Sequence, residues 1–189
     1  MKRCVAWLLA ILSVLALSAC GGKKTEPEWA ESEVGSIRND AYLRLIEVTG
    51  ASMNPTLYDG EQVLTLDLFY KPQAGDVIAF RAENYDPGKI LVKRVIATEG
   101  QEVSIDFEKG VVFVDGEPLD EPYTAEPIYT MLDYVGPQTV PTGCVFVLGD
   151  NRNASNDSRT SSIGMVDEGL ILGKVFAVAS PEDVIRPVR

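Results

Sequence analysis

Ile90-Leu91-Val92-Lys93-Arg94-Val95-Ile96 is an aliphatic, β-branched run with two cations at its centre. It reads as a strand with charge placed between apolar neighbours. Neighbouring side chains of a strand point to opposite faces, so one of Lys93 and Arg94 is expected inward and the other outward. A lysine amine taken out of water loses the solvation its ammonium form needs. Its pKa falls, by up to ~3–5 units in extreme cases.

On either side of this run nearly every apolar segment has strand character. Tyr42–Val48, Gln62–Leu68, Asp76–Arg81, Ile90–Thr98, Glu102–Phe107, Gly110–Asp115, Val145–Leu148 and Leu172–Ala179 are short, β-branched and bounded by Gly, Pro, Asp or Asn. The fold class is therefore mainly β. Asp115-Gly116 after Val111–Val114 is the strongest turn signal. Glu117–Pro141 holds Pro118, Pro122, Pro127, Pro137 and Pro141, and reads as an irregular insertion without a long helix. Asp115, Asp120 and Glu121 read as solvated loop charges, and no metal-ligand cluster or cofactor motif is expected.

The chain contains no histidine, which excludes every Ser-His-Asp arrangement. A serine nucleophile still needs a base, and a neutral lysine can supply one. Ser52-Met53-Asn54-Pro55-Thr56-Leu57 offers the serine and Lys93 the amine. Gly149-Asp150-Asn151-Arg152-Asn153-Ala154-Ser155-Asn156-Asp157-Ser158-Arg159 is a long polar segment after the Val145–Leu148 strand. Alone, each has a plainer reading: a turn serine before Pro55, a surface lysine, a self-bonded polar loop.

Taken in order, the serine box, Gly75-Asp76-Val77-Ile78-Ala79-Phe80, Val92-Lys93-Arg94-Val95 and the Gly149–Arg159 box resemble the type I signal peptidases, over about Leu43 to Lys174. The resemblance implies a signal-peptidase-like antiparallel β-sheet or barrel fold and a serine endopeptidase that removes signal peptides from exported precursors. Ser52 would be the nucleophile and Lys93 the general base. Ser155 would orient the amine, and Asp150, Asp157 and Arg159 would brace the site. The backbone N–H of Ser52 would bind the oxyanion. Met53, Leu57, Leu91 and Val92 would line pockets for small substrate residues. Two positions depart from the family pattern. Gly50 stands where some members carry a hydroxyl near the oxyanion, and Ala97-Thr98-Glu99-Gly100 follows the lysine box where Gly and then Pro-Gly-Asp are usual.

Residues 1–20 carry Lys2 and Arg3, the apolar run Val5–Leu17, then Leu17-Ser18-Ala19-Cys20, the parts of an export signal. The ending resembles a lipoprotein signal with Cys20 as the lipidated residue. A helix from Cys4 to Ala19 would rise about 24 Å, short of a ~30 Å hydrocarbon core, so length favours a processed signal over an uncleaved anchor. Either puts the catalytic domain on the extracytoplasmic face of the cell membrane. Residues 21–36 read as a polar tether spanning on the order of 20–25 Å, and 37–189 as the catalytic domain.

Removing Lys2 and Arg3 takes the formal net charge from −11 to −13. So acidic a surface excludes nucleic acid as a partner. It also argues against strong attraction to anionic lipid; precursor proteins are the partners the resemblance implies, and membrane lipid the one the N-terminal segment implies. Cys144 would be left without a disulfide partner, as a core strand residue. Two other classes fit parts of the sequence. A self-cleaving Ser-Lys repressor-type protease is opposed by the export signal, and a catalytically silent peptide-binding surface lipoprotein by the intact Ser52, Lys93 and Ser155.

Overall fold

The computed structural model describes residues 42–179 and 185–188. The expected signal, tether and Cys20 lie outside the described residues.

Two antiparallel sheets make up the fold. The larger has the strand order β1 (Leu43–Glu47), β2 (Gln62–Leu66), β11 (Ile171–Ala179), β3 (Val77–Arg81), β4 (Ile90–Thr98), β9 (Cys144–Leu148) and β10 (Val166–Asp167), with β12 (Ile185–Pro187) also paired to β11. The smaller runs β7 (Glu117–Pro118), β6 (Val111–Val114), β5 (Glu102–Asp106) and β8 (Gln138–Thr139). Each of the expected strand segments coincides with an observed strand, β9 and β11 starting one residue earlier than expected. Short apolar runs between turn residues are legible from local pattern alone.

Asp115 and Gly116 both have positive φ, 53° and 81°, and join β6 to β7 in a two-residue hairpin. That twist matches the flanking strands, which explains the choice of Asp-Gly. It also corrects the insertion's start, since Glu117–Pro118 pairs with Val114–Phe113. The remaining stretch is irregular but anchored: Ile128, Tyr134 and Val140 are buried with Val103, Val112 and Phe146, and Tyr134 Oη donates to the Val103 carbonyl at 2.9 Å.

β11 crosses the larger sheet between β2 and β3 and carries a bulge toward each. Gly173 sits there at φ 137°, where a Cβ would come within 2.7 Å of the Leu66 carbonyl oxygen. Only glycine lets the strands approach so closely. Cys144, at the start of β9, is half-buried against the core, without a disulfide partner among the described residues.

β4 positions the site. It pairs with β3 along Ile90–Arg94 but with β9 only from Arg94 onward, leaving one edge of Ile90–Lys93 without a strand partner among the described residues. Lys93 and Arg94 are 2% and 1% exposed. The expectation that one would face outward fails because this stretch of sheet is covered on both faces. Alternation still separates the two cations, but neither side is solvent.

Candidate active site

Ser52 lies in a turn between β1 and β2 whose ends are fixed in three ways. Met53 and Leu57 are buried in the core with Val63, Val77 and Val92. Thr56 Oγ1 donates to the Asp150 carboxylate. Gly50, at φ 83°, donates its N–H to Asp59 Oδ1 at 2.7 Å. The left-handed Gly50 conformation is one that a side chain would strain, a physical reason for glycine here.

Lys93 Nζ lies 2.7 Å from Ser52 Oγ and donates to the Val92 carbonyl at 2.8 Å. Burial pulls its pKa from 10.5 down to about 8, against the opposing pull of the Asp157 and Asp150 carboxylates, with a small further lowering from Lys89. At pH 7 roughly a tenth of the molecules then carry a neutral amine, against well under one in a thousand for a free lysine. A neutral amine at hydrogen-bond distance from a serine hydroxyl can take its proton.

The Gly149–Arg159 loop closes over the pair. Asn151 N–H donates to the Ser52 carbonyl at 3.0 Å, and Asn151 Nδ2 to the Ala51 carbonyl at 3.0 Å. Among the described residues the Ser52 N–H has no acceptor, which leaves it available to an oxyanion. Gly149 is where the two segments touch: a Cβ on it would fall 2.2 Å from Ser155 Oγ and 2.5 Å from the Ser52 carbonyl oxygen. Ser155 Oγ is buried and has no hydrogen-bond partner among the described residues.

Asp150 and Asp157 are fully buried and paired. Arg94 grips Asp150 with Nε at 2.8 Å and Nη2 at 2.7 Å, and its Nη1 donates to the Gly75 carbonyl at 2.7 Å. Arg159 grips Asp157 at 2.8 Å through both Nε and Nη2 and donates to the carbonyls of Thr130 and Arg152. Asp157 also accepts the Gly149 N–H at 3.0 Å. Bidentate pairs with the remaining donors satisfied are what allow such charges to be buried.

A groove of about 380 Å3 runs past Ser52 and Lys93. Glu47 at the end of β1 with Val48 and Thr49 after it, Ile90, Leu91 and Val92 of β4, and Tyr85 and Asn156 line it. Of the four residues named for the pockets, Met53, Leu91 and Val92 line this groove and Leu57 does not. Leu57 is wholly buried in the core below, one helical turn from Met53, whose carbonyl accepts the Leu57 N–H at 2.9 Å.

Thr56, Arg94, Arg152, Glu121 and Tyr123 belong to the site's surroundings and were not expected there. Glu121, read as a solvated charge, binds the buried Arg152 through both carboxylate oxygens. Arg94 beside Lys93, and Arg152 within the Gly149–Arg159 box, were the available signals.

Residues 37–179 match the family described as "Signal peptidase, peptidase S26". The chain is 44% identical over 116 residues to a "Probable signal peptidase I-1" of Synechocystis sp., covering 57% of each chain. It is 36% identical over 146 residues to "Signal peptidase IB" of Staphylococcus aureus, covering 68% of this chain and 73% of the relative. The chain thus spans little more than half the length of the Synechocystis relative. A crystal structure of a signal peptidase I from Enterococcus faecalis V583 is similar with 31% identity and a TM-score of 0.48, over 57% of this chain and 99% of that one.

Proposed function

The chain belongs to the signal peptidase family, peptidase S26, and we propose that it is a signal peptidase I, a serine endopeptidase that cleaves signal peptides from exported precursors. The observation that carries this reading is the 2.7 Å approach of a buried Lys93 amine to Ser52 Oγ, in a groove with an unpaired strand edge. A precursor lying extended along Ile90–Val92 adds a strand there, and main-chain hydrogen bonds set its register. Ser52 Oγ attacks the carbonyl carbon while Lys93 Nζ takes the hydroxyl proton, and the Ser52 N–H holds the oxyanion. The C–N bond then breaks, the ammonium returns its proton to the leaving amine, and water attacks the ester with Lys93 again as base. Ser155 is assigned to orienting the amine from its buried place beside Gly149; its Oγ has no hydrogen-bond partner among the described residues, and Lys93 Nζ bonds Ser52 and the Val92 carbonyl. Asp150, Asp157 and Arg159 hold the two loops together.

Walls formed by Met53, Leu91 and Val92 exclude bulk by steric clash, which discriminates more sharply than attraction to a methyl group. A precursor with alanine one and three residues before the cut should be cleaved there by the purified chain. Replacing the nearer alanine with phenylalanine should lower cleavage at least about a hundredfold. Electrophoresis with N-terminal sequencing of the product checks both. Equal cleavage of the phenylalanine precursor, or an intact alanine precursor, overturns the reading.

The protein is proposed to work at the extracytoplasmic face of the cell membrane, anchored through Cys20 after signal removal. An apolar surface supports the membrane association, though not the side or the kind of anchor: Leu43 and Leu45 on β1, Leu66 at the end of β2, then Leu68 and Phe69, are all exposed. Leu43 and Leu66 are register partners, so the side chains form one patch rather than scattered contacts. In expressing cells, Cys20→Ala should abolish labelling by a fatty-acid probe and leave the precursor unprocessed. Labelling that survives Cys20→Ala, or an intact Met1 terminus on wild-type protein from membranes, would overturn the lipid anchor.

A further inference from the structure

Glu121-Pro122-Tyr123 lies in the proline-rich stretch between β7 and β8, and the Glu121 and Tyr123 side chains both end on buried guanidinium groups. The Tyr123 ring packs against Arg94, whose Cζ is 4.0 Å from its centroid, with Arg152 Cζ at 5.8 Å. Glu121 binds Arg152 bidentately and accepts the Tyr123 hydroxyl at 3.0 Å. Arg94 and Arg152 are each 1% exposed. Resting on the signal-peptidase reading, we propose that Tyr123 and Glu121 are positioning residues for the hydrolysis, fixing the two arginines that set Ser52 opposite Lys93.

Both arginines lead to the serine by short paths. Arg94 grips Asp150, and Asp150 accepts Thr56 Oγ1 from the serine turn. Arg152 Nε donates to the Gly149 carbonyl at 3.1 Å, on the residue where Ser52 and Ser155 meet. The plane of a guanidinium can be saturated by hydrogen bonds while its faces still need a partner, and an aromatic ring supplies one that competes with none of those bonds. Tyr123 does this for Arg94. Without the ring, Arg94 tilts and carries Asp150 and Thr56 with it.

The same shift alters the charge at the base. The charged groups around Lys93 are the carboxylates of Asp150 and Asp157, their partners Arg94 and Arg159, and Lys89 and Glu47 in the groove lining. Asp150 draws the amine toward its protonated form, and a well-seated Arg94 offsets that pull. Loosening Arg94 leaves Asp150 less compensated. Lys93 then holds its proton to higher pH.

The test measures kcat, KM and the pH–rate profile of the purified chain with an alanine-site precursor, for wild type, Tyr123→Leu, Tyr123→Phe and Glu121→Gln. Tyr123→Leu should lower kcat about tenfold or more with KM within about twofold, and move the acid limb to higher pH by about half a unit. Tyr123→Phe keeps the ring and should restore both values. Glu121→Gln should fall between. A folded Tyr123→Leu with wild-type kcat and acid limb overturns the proposal, as does a Tyr123→Phe no better than Leu. If Tyr123→Leu does not fold, a Glu121→Gln with wild-type kcat overturns it. Wild type is assayed first: absence of cleavage there defeats the signal-peptidase reading, whereas wild-type cleavage with unaffected variants defeats this inference alone.

Discussion

Ser52→Ala and Lys93→Ala should each lower precursor cleavage by about four to six orders of magnitude, and the double variant should be no worse than either single one. Non-additivity is the informative part. Nucleophile and base act on one proton, so once either is gone the other has nothing to do. What survives is the contribution of the oxyanion site and of substrate alignment. Both variants should remain folded. Ser52 sits in a turn fixed by Met53, Leu57 and Thr56 rather than by its own hydroxyl, and Lys93→Ala removes a buried amine along with its methylenes. Thermal unfolding alongside single-turnover cleavage checks both statements. Near wild-type turnover in either pure variant, or multiplicative losses in the double, would defeat the dyad.

Much of this arrangement was legible in the chain because it is local. A strand of Ile90–Thr98 follows from its run of aliphatic, β-branched residues, and the absence of histidine points to lysine as the proposed base. The Asp115-Gly116 hairpin needed only the dihedral preferences of two residues. What local pattern could not supply was the partner of each charge. One of Lys93 and Arg94 was expected to face solvent because alternation says only that the two point apart; it cannot say that both faces are covered. Glu121 looked like an ordinary loop acid in a proline-rich segment, yet its partner Arg152 is 31 residues away. Leu57 illustrates the same limit at shorter range. Four residues after Met53, it shares the apolar character of the groove's lining, but the turn of backbone between them puts one beside the groove and the other beneath it.

Cleavage should rise with pH along a limb centred near 8, because the active form of Lys93 is the neutral one and burial has brought its pKa down to about 8. Below that point the rate should change about tenfold per pH unit, so roughly a fiftyfold to hundredfold gain is expected between pH 6 and 9. A flat profile from pH 6 to about 10, where a free lysine titrates, would remove Lys93 as the base. The lowered pKa also has a thermodynamic consequence. Between about pH 8 and the unfolded value of 10.5, the unfolded chain binds a proton that the folded chain does not, so stability rises with pH across this window. Below about pH 8 the folded protein bears the full cost of a buried ammonium, on the order of 3 kcal/mol. Lys93→Met, which fills a similar volume without the charge, should therefore be inactive yet more stable than wild type at pH 7, with the gain shrinking as pH approaches 10.5. Denaturant unfolding of the two proteins at pH 7 and 10.5 measures the difference directly. A Lys93→Met variant less stable at pH 7 would mean that the Ser52 and Val92 contacts of the amine outweigh its desolvation, and the strand setting would lose its role in tuning the base.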